Sequence, residues 1–70
     1  PKDNTLWRFS QVALNIILET EWHEDGKPCR KAEWFSDTMQ AIHRADELAL
    51  IHPELLYTVR DENGNKVYGR

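Results

Sequence analysis

His43 and Glu47 stand one helical turn apart in a segment that reads as helix, a spacing at which two side chains can share a metal ion. A catalytic zinc takes about three protein ligands, and no HExxH or CxxC spacing supplies the others. The pair is therefore expected to be solvent-exposed charge on the outer helix face. Cys29 follows Pro28, with Arg30 and Lys31 near enough to favour a thiolate. His23 is a candidate base across a hairpin, but no third group is placed to orient it, and an unreactive strand cysteine is the expectation. His43 and His52 differ by roughly 180° around a helix and cannot converge on one ligand. The three glycines, Gly26, Gly64 and Gly69, all have turn or terminal explanations, so no phosphate-binding loop is present. These residue types in this pattern point to a protein that is not an enzyme, with no catalytic residue, no metal and no cofactor.

The aromatic and acidic residues are the better candidates for a site. Three tryptophans in 70 residues exceed what one small core requires. Trp7 and Phe9 have the opposite parity to Val12, Leu14 and Ile16 along one proposed strand. If that strand is continuous, Trp7, Phe9, Ala13, Ile17 and Phe35 share the sheet face away from the helix and form an apolar patch suited to a partner. If a bulge at Ser10 and Gln11 resets the phase, or residues 5–10 form a separate segment, Trp7 and Phe9 return to the core. The acidic residues Glu19, Glu21, Glu24, Asp25 and Glu33 come from one hairpin, and a spaced array of carboxylates can occupy a basic groove meant for phosphate.

Length and charge narrow the classes. Seventy residues make a single domain, 1–70, whose small core contributes only a few kcal/mol, roughly 3 to 5, so support from a partner or a second copy is expected. A net charge of −3 leaves no excess of cations for releasing phosphate counterions, which argues against direct nucleic-acid binding. Lys27, Arg30 and Lys31 lie close together, but Glu24, Asp25 and Glu33 are interleaved with them. One cysteine cannot form an internal disulfide. With no signal peptide and no apolar run near 18 residues, the expectation is a cytoplasmic protein without a membrane partner. Pro1 at the start and Met39 as the lone methionine fit removal of an initiator Met, which would make this a whole polypeptide.

The elements that must position these residues follow from periodicity. From Ser36 to His52, Ile42, Ala45, Leu48, Ala49 and His52 recur three or four apart, with Ala41 and Ala45 allowing close approach to a sheet. Ser36 or Asp37 caps the first turn and Pro53 ends the helix. Residues from Gln11 to Trp22 alternate with the period of a half-buried strand, and β-branched Val12, Ile16, Ile17 and Thr20 favour strand over helix. A three-residue loop, Glu24-Asp25-Gly26, is expected to pair His23 with Lys27, which sets Leu18 opposite Ala32 and Ile16 opposite Trp34 on one apolar face. After the helix, Leu55 to Arg60 and Lys66 to Tyr68 flank a second turn. With Glu62-Asn63-Gly64 as its loop, Val59 pairs with Val67; a two-residue Asn63-Gly64 turn would pair it with Tyr68.

The expected fold is α+β, a small single domain in which one helix covers an antiparallel sheet of two hairpins, in the order β-β-α-β-β. The expected function is binding a protein partner, or a second copy, through an open sheet face or an edge strand, with Trp7, Phe9, Ile17 and Phe35 as contact residues. The alternative is an acidic inhibitor, of the kind phages encode, that blocks a nucleic-acid-binding protein through carboxylates such as Glu19 and Glu21. That comparison rests on size and charge, with no motif behind it.

Overall fold

The computed structural model describes residues 13–70. Strand β1 (Ile16–Glu24) and strand β2 (Lys27–Phe35) form a long hairpin, helix α1 (Thr38–Ile51) follows, and β3 (Leu56–Arg60) and β4 (Lys66–Gly69) form a second hairpin. The strands make one antiparallel sheet in the order β2-β1-β3-β4, so β1 is central and joins the two hairpins through its pairing with β3. Among the described residues the fold is the α+β arrangement of one helix on two hairpins. Residues Gln11 and Val12 of the expected first strand, and Trp7, Phe9 and the bulge at Ser10 and Gln11, lie outside the described residues. Leu14 is exposed and precedes the strand, which starts at Ile16 and runs up to the turn.

Alternation along β1 builds the core. Ile16, Leu18 and Thr20 are buried toward the helix, while Ile17, Glu19 and Glu21 point to the other face. Leu18, Tyr57 and Val59 are the largest fully buried side chains, and the helix closes on them through Ala41 and Ala45, neither of which retains any exposure. Two alanines one turn apart let the helix backbone approach the sheet, as their small size and spacing predict. Ile42, Leu48 and Ala49 flank this contact. His52 does not join it: the helix ends one residue earlier, His52 is the C-cap, and its exposed ring lies 3.3 Å from the Glu54 carboxylate. At the other end Asp37 is the N-cap and its carboxylate accepts from the Gln40 amide.

Tyr57 joins the sheet to the helix end. Its hydroxyl lies 2.9 Å from the carbonyl of His52 and 3.2 Å from that of Leu48, and it donates to these carbonyls of the helix end, which also accept from the backbone amides of Leu55 and His52 respectively.

The first hairpin differs from expectation by one residue. The loop has two residues, Asp25 (φ 54°) and Gly26 (φ 79°), both in the left-handed region, as in the turn whose twist matches that of the flanking strands. Glu24 therefore pairs with Lys27, Leu18 with Glu33, Ile16 with Phe35 and Ile17 with Trp34. Phe35 packs against the core beside Ile16, and Trp34 faces the other way, 54 % exposed. The expectation that Trp34 and Ala32 would join the apolar face fails because β2 is an edge strand. Glu33, placed on the helix side, reaches the Arg44 guanidinium at 3.5 Å and keeps partial access to water, so it need not be excluded.

The second hairpin closes on the three-residue loop, one of the two that its sequence allows. Asp61 and Asn65 pair across Glu62-Asn63-Gly64, the Asp61 carboxylate accepts from the amides of Asn63 and Asn65, and Gly64 has φ 82°. Arg60 pairs with Lys66, and a bulge then moves Val59 from Val67, the partner this loop implies, to Tyr68, the partner the two-residue turn would give. That shift turns the Tyr68 ring toward the core and leaves Val67 exposed.

Candidate protein-interaction surface

Side chains on the sheet face opposite the helix follow from the register alone. Three rows cross the strands: Trp34, Ile17 and Arg60; then Ala32, Glu19 and Thr58; then Arg30, Glu21 and Leu56. The helix packs on the other face, where Ile16, Leu18 and Thr20 are buried. Trp34 and half-buried Ile17 form an apolar end, and Leu56, 62 % exposed, lies toward the opposite end.

Between them is a set of matched charges. Arg60 Nε donates to Glu19 Oε1 at 2.9 Å, while Arg30 on the other neighbouring strand approaches Glu19 Oε2 at 3.8 Å. Arg30 also lies 3.8 Å from Glu21, and Arg60 donates to the carbonyl of Gly64 at 3.1 Å, which ties the second turn to the sheet. The two carboxylates are thus spanned by two guanidiniums. Glu19 is the most enclosed, with 17 % of its side chain exposed.

Of the expected contact residues, Ile17, Glu19 and Glu21 share this face, Phe35 is on the helix side, and Trp7 and Phe9 lie outside the described residues. Trp34, Leu56, Arg30 and Arg60 belong to the surface but are not among the contact residues expected from the sequence. Leu56 was legible, because it has the opposite parity to Tyr57, whose size marks it as core. Trp34 depended on the hairpin loop.

Cys29 and His23, the thiol and base considered from the sequence, are not brought together. Cys29 pairs with Trp22 and His23 with Pro28, so the thiol and the imidazole fall on opposite faces of the hairpin. They line one open cleft of about 670 Å³ at the sheet end, with Glu54 and Leu56 on its rim, but from opposite sides. The nearest hydrogen-bond acceptor to Cys29 Sγ is the carbonyl of Lys27 at 3.8 Å. On the helix, Glu47 pairs with Arg44 at 3.9 Å. Among the described residues no group of three histidine, cysteine or carboxylate side chains comes together as metal ligands, and no helix is long and apolar enough to cross a membrane.

Leu50, Ile51 and Met39 are also exposed. They sit on the helix without the strand-to-strand continuity that joins Trp34 to Ile17. Comparison with protein-family models, with curated proteins and with solved structures finds no match for this chain.

Proposed function

We propose that the protein is a small non-enzymatic module that binds another protein through the sheet face opposite the helix. The observation that carries this is Trp34, exposed directly across from Ile17 and bordered by the Arg60, Glu19, Arg30 and Glu21 array. A large aromatic with few rotatable bonds next to fixed charged donors and acceptors is the composition of an interface anchor with a polar rim. A cytoplasmic setting goes with it, since Cys29 is a lone thiol.

The acidic-inhibitor alternative has less behind it. A decoy for phosphate needs carboxylates whose charge is free to attract a basic groove. Glu19 and Glu21 are already matched by Arg30 and Arg60, Glu33 and Glu47 by Arg44, and Asp46 by Arg70.

A tagged full-length chain used to recover partners, with mass spectrometry, tests the proposal. Binding through Trp34 is expected to survive a rise in salt from 0.1 to 1 M, where the Debye length falls from about 10 Å to about 3 Å. It is expected to be lost in Trp34→Ala and kept in Glu19→Gln with Glu21→Gln. Loss of the partner at high salt and in the glutamine variant only, with competition by DNA, would favour the inhibitor instead.

A further inference from the structure

The edge of β2 carries more information than its exposure. The two-residue loop makes Glu24 and Lys27 the closing hydrogen-bonded pair of the hairpin, and bonded and non-bonded pairs alternate from there. Lys27, Cys29, Lys31, Glu33 and Phe35 spend their backbone groups on β1. Pro28, Arg30, Ala32 and Trp34 direct theirs away from it. Pro28 has no N–H to offer, and it occupies one of the positions where β1 needs none, which is an independent check on the phase. Among the described residues nothing pairs with this edge, because β2 is the outermost strand. It is nine residues long and paired with β1 without a register shift, whereas the opposite edge, β4, has four residues and adjoins a bulge.

We propose that this edge pairs with the same edge of a second copy of the chain, antiparallel about a two-fold axis through Ala32, joining the two sheets into one. It rests on the protein being a binding module, and it assigns the occupant of the β2 edge.

The side chains select the occupant and the register. A two-fold axis through Lys31 or through Glu33 would set each of those residues against its own copy, placing like charges directly opposite. An axis through Arg30 would do the same. An axis through Ala32 sets Lys31 against Glu33 of the second copy, on the helix side of the sheet, in both directions. On the other side it sets Arg30 against Trp34 of the second copy, a guanidinium beside an indole. Ala32 meets Ala32 at the axis, where two small side chains leave the backbones free to close. In this register the outward backbone groups of Arg30, Ala32 and Trp34 all find partners, because each hydrogen-bonded pair joins outward residues only. Charged residues on an edge ordinarily discourage such pairing. Here the order Lys31, Ala32, Glu33 is self-complementary when reversed, and the arrangement is closed by its symmetry, so it stops at two copies.

Sedimentation equilibrium of the full chain is expected to show a monomer–dimer equilibrium at micromolar concentration. Ala32→Pro removes an outward N–H that the β1 ladder does not use, so circular dichroism should change little while dimerisation weakens at least about tenfold. Lys31→Glu alone and Glu33→Lys alone are each expected to be monomeric, since each sets like charges opposite one another. Mixed together they should form a heterodimer, because every pair across the interface is then of opposite sign. The mixing arm decides the matter if Ala32→Pro proves unfolded.

A monomer at all concentrations up to 1 mM overturns the proposal, and so does a dimer that survives both single charge changes or a mixture that stays monomeric. Slow amide exchange at Arg30, Ala32 and Trp34 that is independent of protein concentration also overturns it, since the edge would then be covered within one chain. Dimerisation that is lost in Ile17→Glu but kept in Ala32→Pro would place the contact on the sheet face. Loss of a recovered partner in Ile17→Glu, with the monomer–dimer equilibrium unchanged, tests the sheet-face proposal separately, because Ile17 lies on central β1 and not on the β2 edge.

Discussion

Trp34 and Ile17 face each other across the β1–β2 ladder on the side of the sheet that the helix does not cover. In a non-hydrogen-bonded antiparallel pair the two Cα atoms come within about 4.5 Å, so the indole and the isoleucine side chain act as one apolar surface. Trp34 nevertheless keeps about half its surface in water. It contributes to a potential interface more than to the core.

Stability measurements should separate the two faces. Trp34→Ala is expected to shift the urea unfolding free energy by less than about 1 kcal/mol, as for an exposed substitution. Leu18→Ala, on the opposite face and 1 % exposed, should cost about 2 to 5 kcal/mol. A Trp34→Ala penalty equal to that of Leu18→Ala would mean the indole is a core residue.

The turn offers a test of backbone strain alone. A side chain at Gly26 would meet no atom within 4 Å, yet φ is +79°, where L-residues are disfavoured. Gly26→Ala should therefore destabilise the chain by about 1 to 2 kcal/mol through the backbone and not through crowding. Asp25→Asn is expected to be neutral or stabilising by a few tenths of a kcal/mol, because Asn tolerates the left-handed region better. Thermal unfolding of the two variants checks both signs.

Helix and sheet are joined at the Tyr57 hydroxyl. Tyr57→Phe should cost about 1 kcal/mol by removing the hydroxyl's hydrogen bonding to the carbonyls of His52 and Leu48, which keep only their backbone amide donors, with no change in the aromatic packing. Amide exchange should then speed up in the last turn of the helix before it does so in β1.

A pH dependence follows from Asp46. The Tyr68 hydroxyl and Arg70 Nη1 both donate to its carboxylate, and these bonds hold its pKa below the ordinary value of 3.8. The folded state thus binds this proton less readily than the unfolded chain does. Its contribution is complete above the unfolded value and is lost as pH falls through the folded one. Bonding to Asp46 raises the pKa of Tyr68, so that contribution is complete below the ordinary value of 10.0 and is lost as pH climbs past the folded one. Asp46→Asn should flatten the fall in the urea midpoint between about pH 5 and pH 2. An unchanged acid limb would assign the acid sensitivity to other carboxylates.

Most of the fold was legible because the helix and the central strand obey strong local rules. Ala41 and Ala45, Asp37 as cap and Pro53 as terminator all describe one helix, and Ile16, Leu18 and Thr20 alternate cleanly. The phase of β2 was not legible, since all nine of its residues are exposed or half-exposed and none is buried. The sequence KPCRKAEWF contains no apolar period to fix it, and keeping Leu18 away from Glu33 favoured the wrong loop. The pairing of Glu33 with Arg44 from the helix, which removes that objection, is a tertiary contact that strand periodicity does not contain. The second hairpin combines the two readings its sequence leaves open: the loop is Glu62-Asn63-Gly64, yet the bulge beyond it gives Val59 the Tyr68 partner of the two-residue turn, and strand periodicity does not contain that bulge.

The outward position of Trp34, the inward position of Phe35 and the phase of the β2 edge all depend on the hairpin closing with two residues. Nuclear Overhauser spectroscopy in D₂O measures this directly, because Hα protons lie close together only across non-hydrogen-bonded pairs of an antiparallel ladder. The two-residue loop predicts Hα–Hα cross-peaks between Ile17 and Trp34, Glu19 and Ala32, and Glu21 and Arg30. Cross-peaks between Ile16 and Trp34 and between Leu18 and Ala32 would instead turn Trp34 into the core and contradict the account.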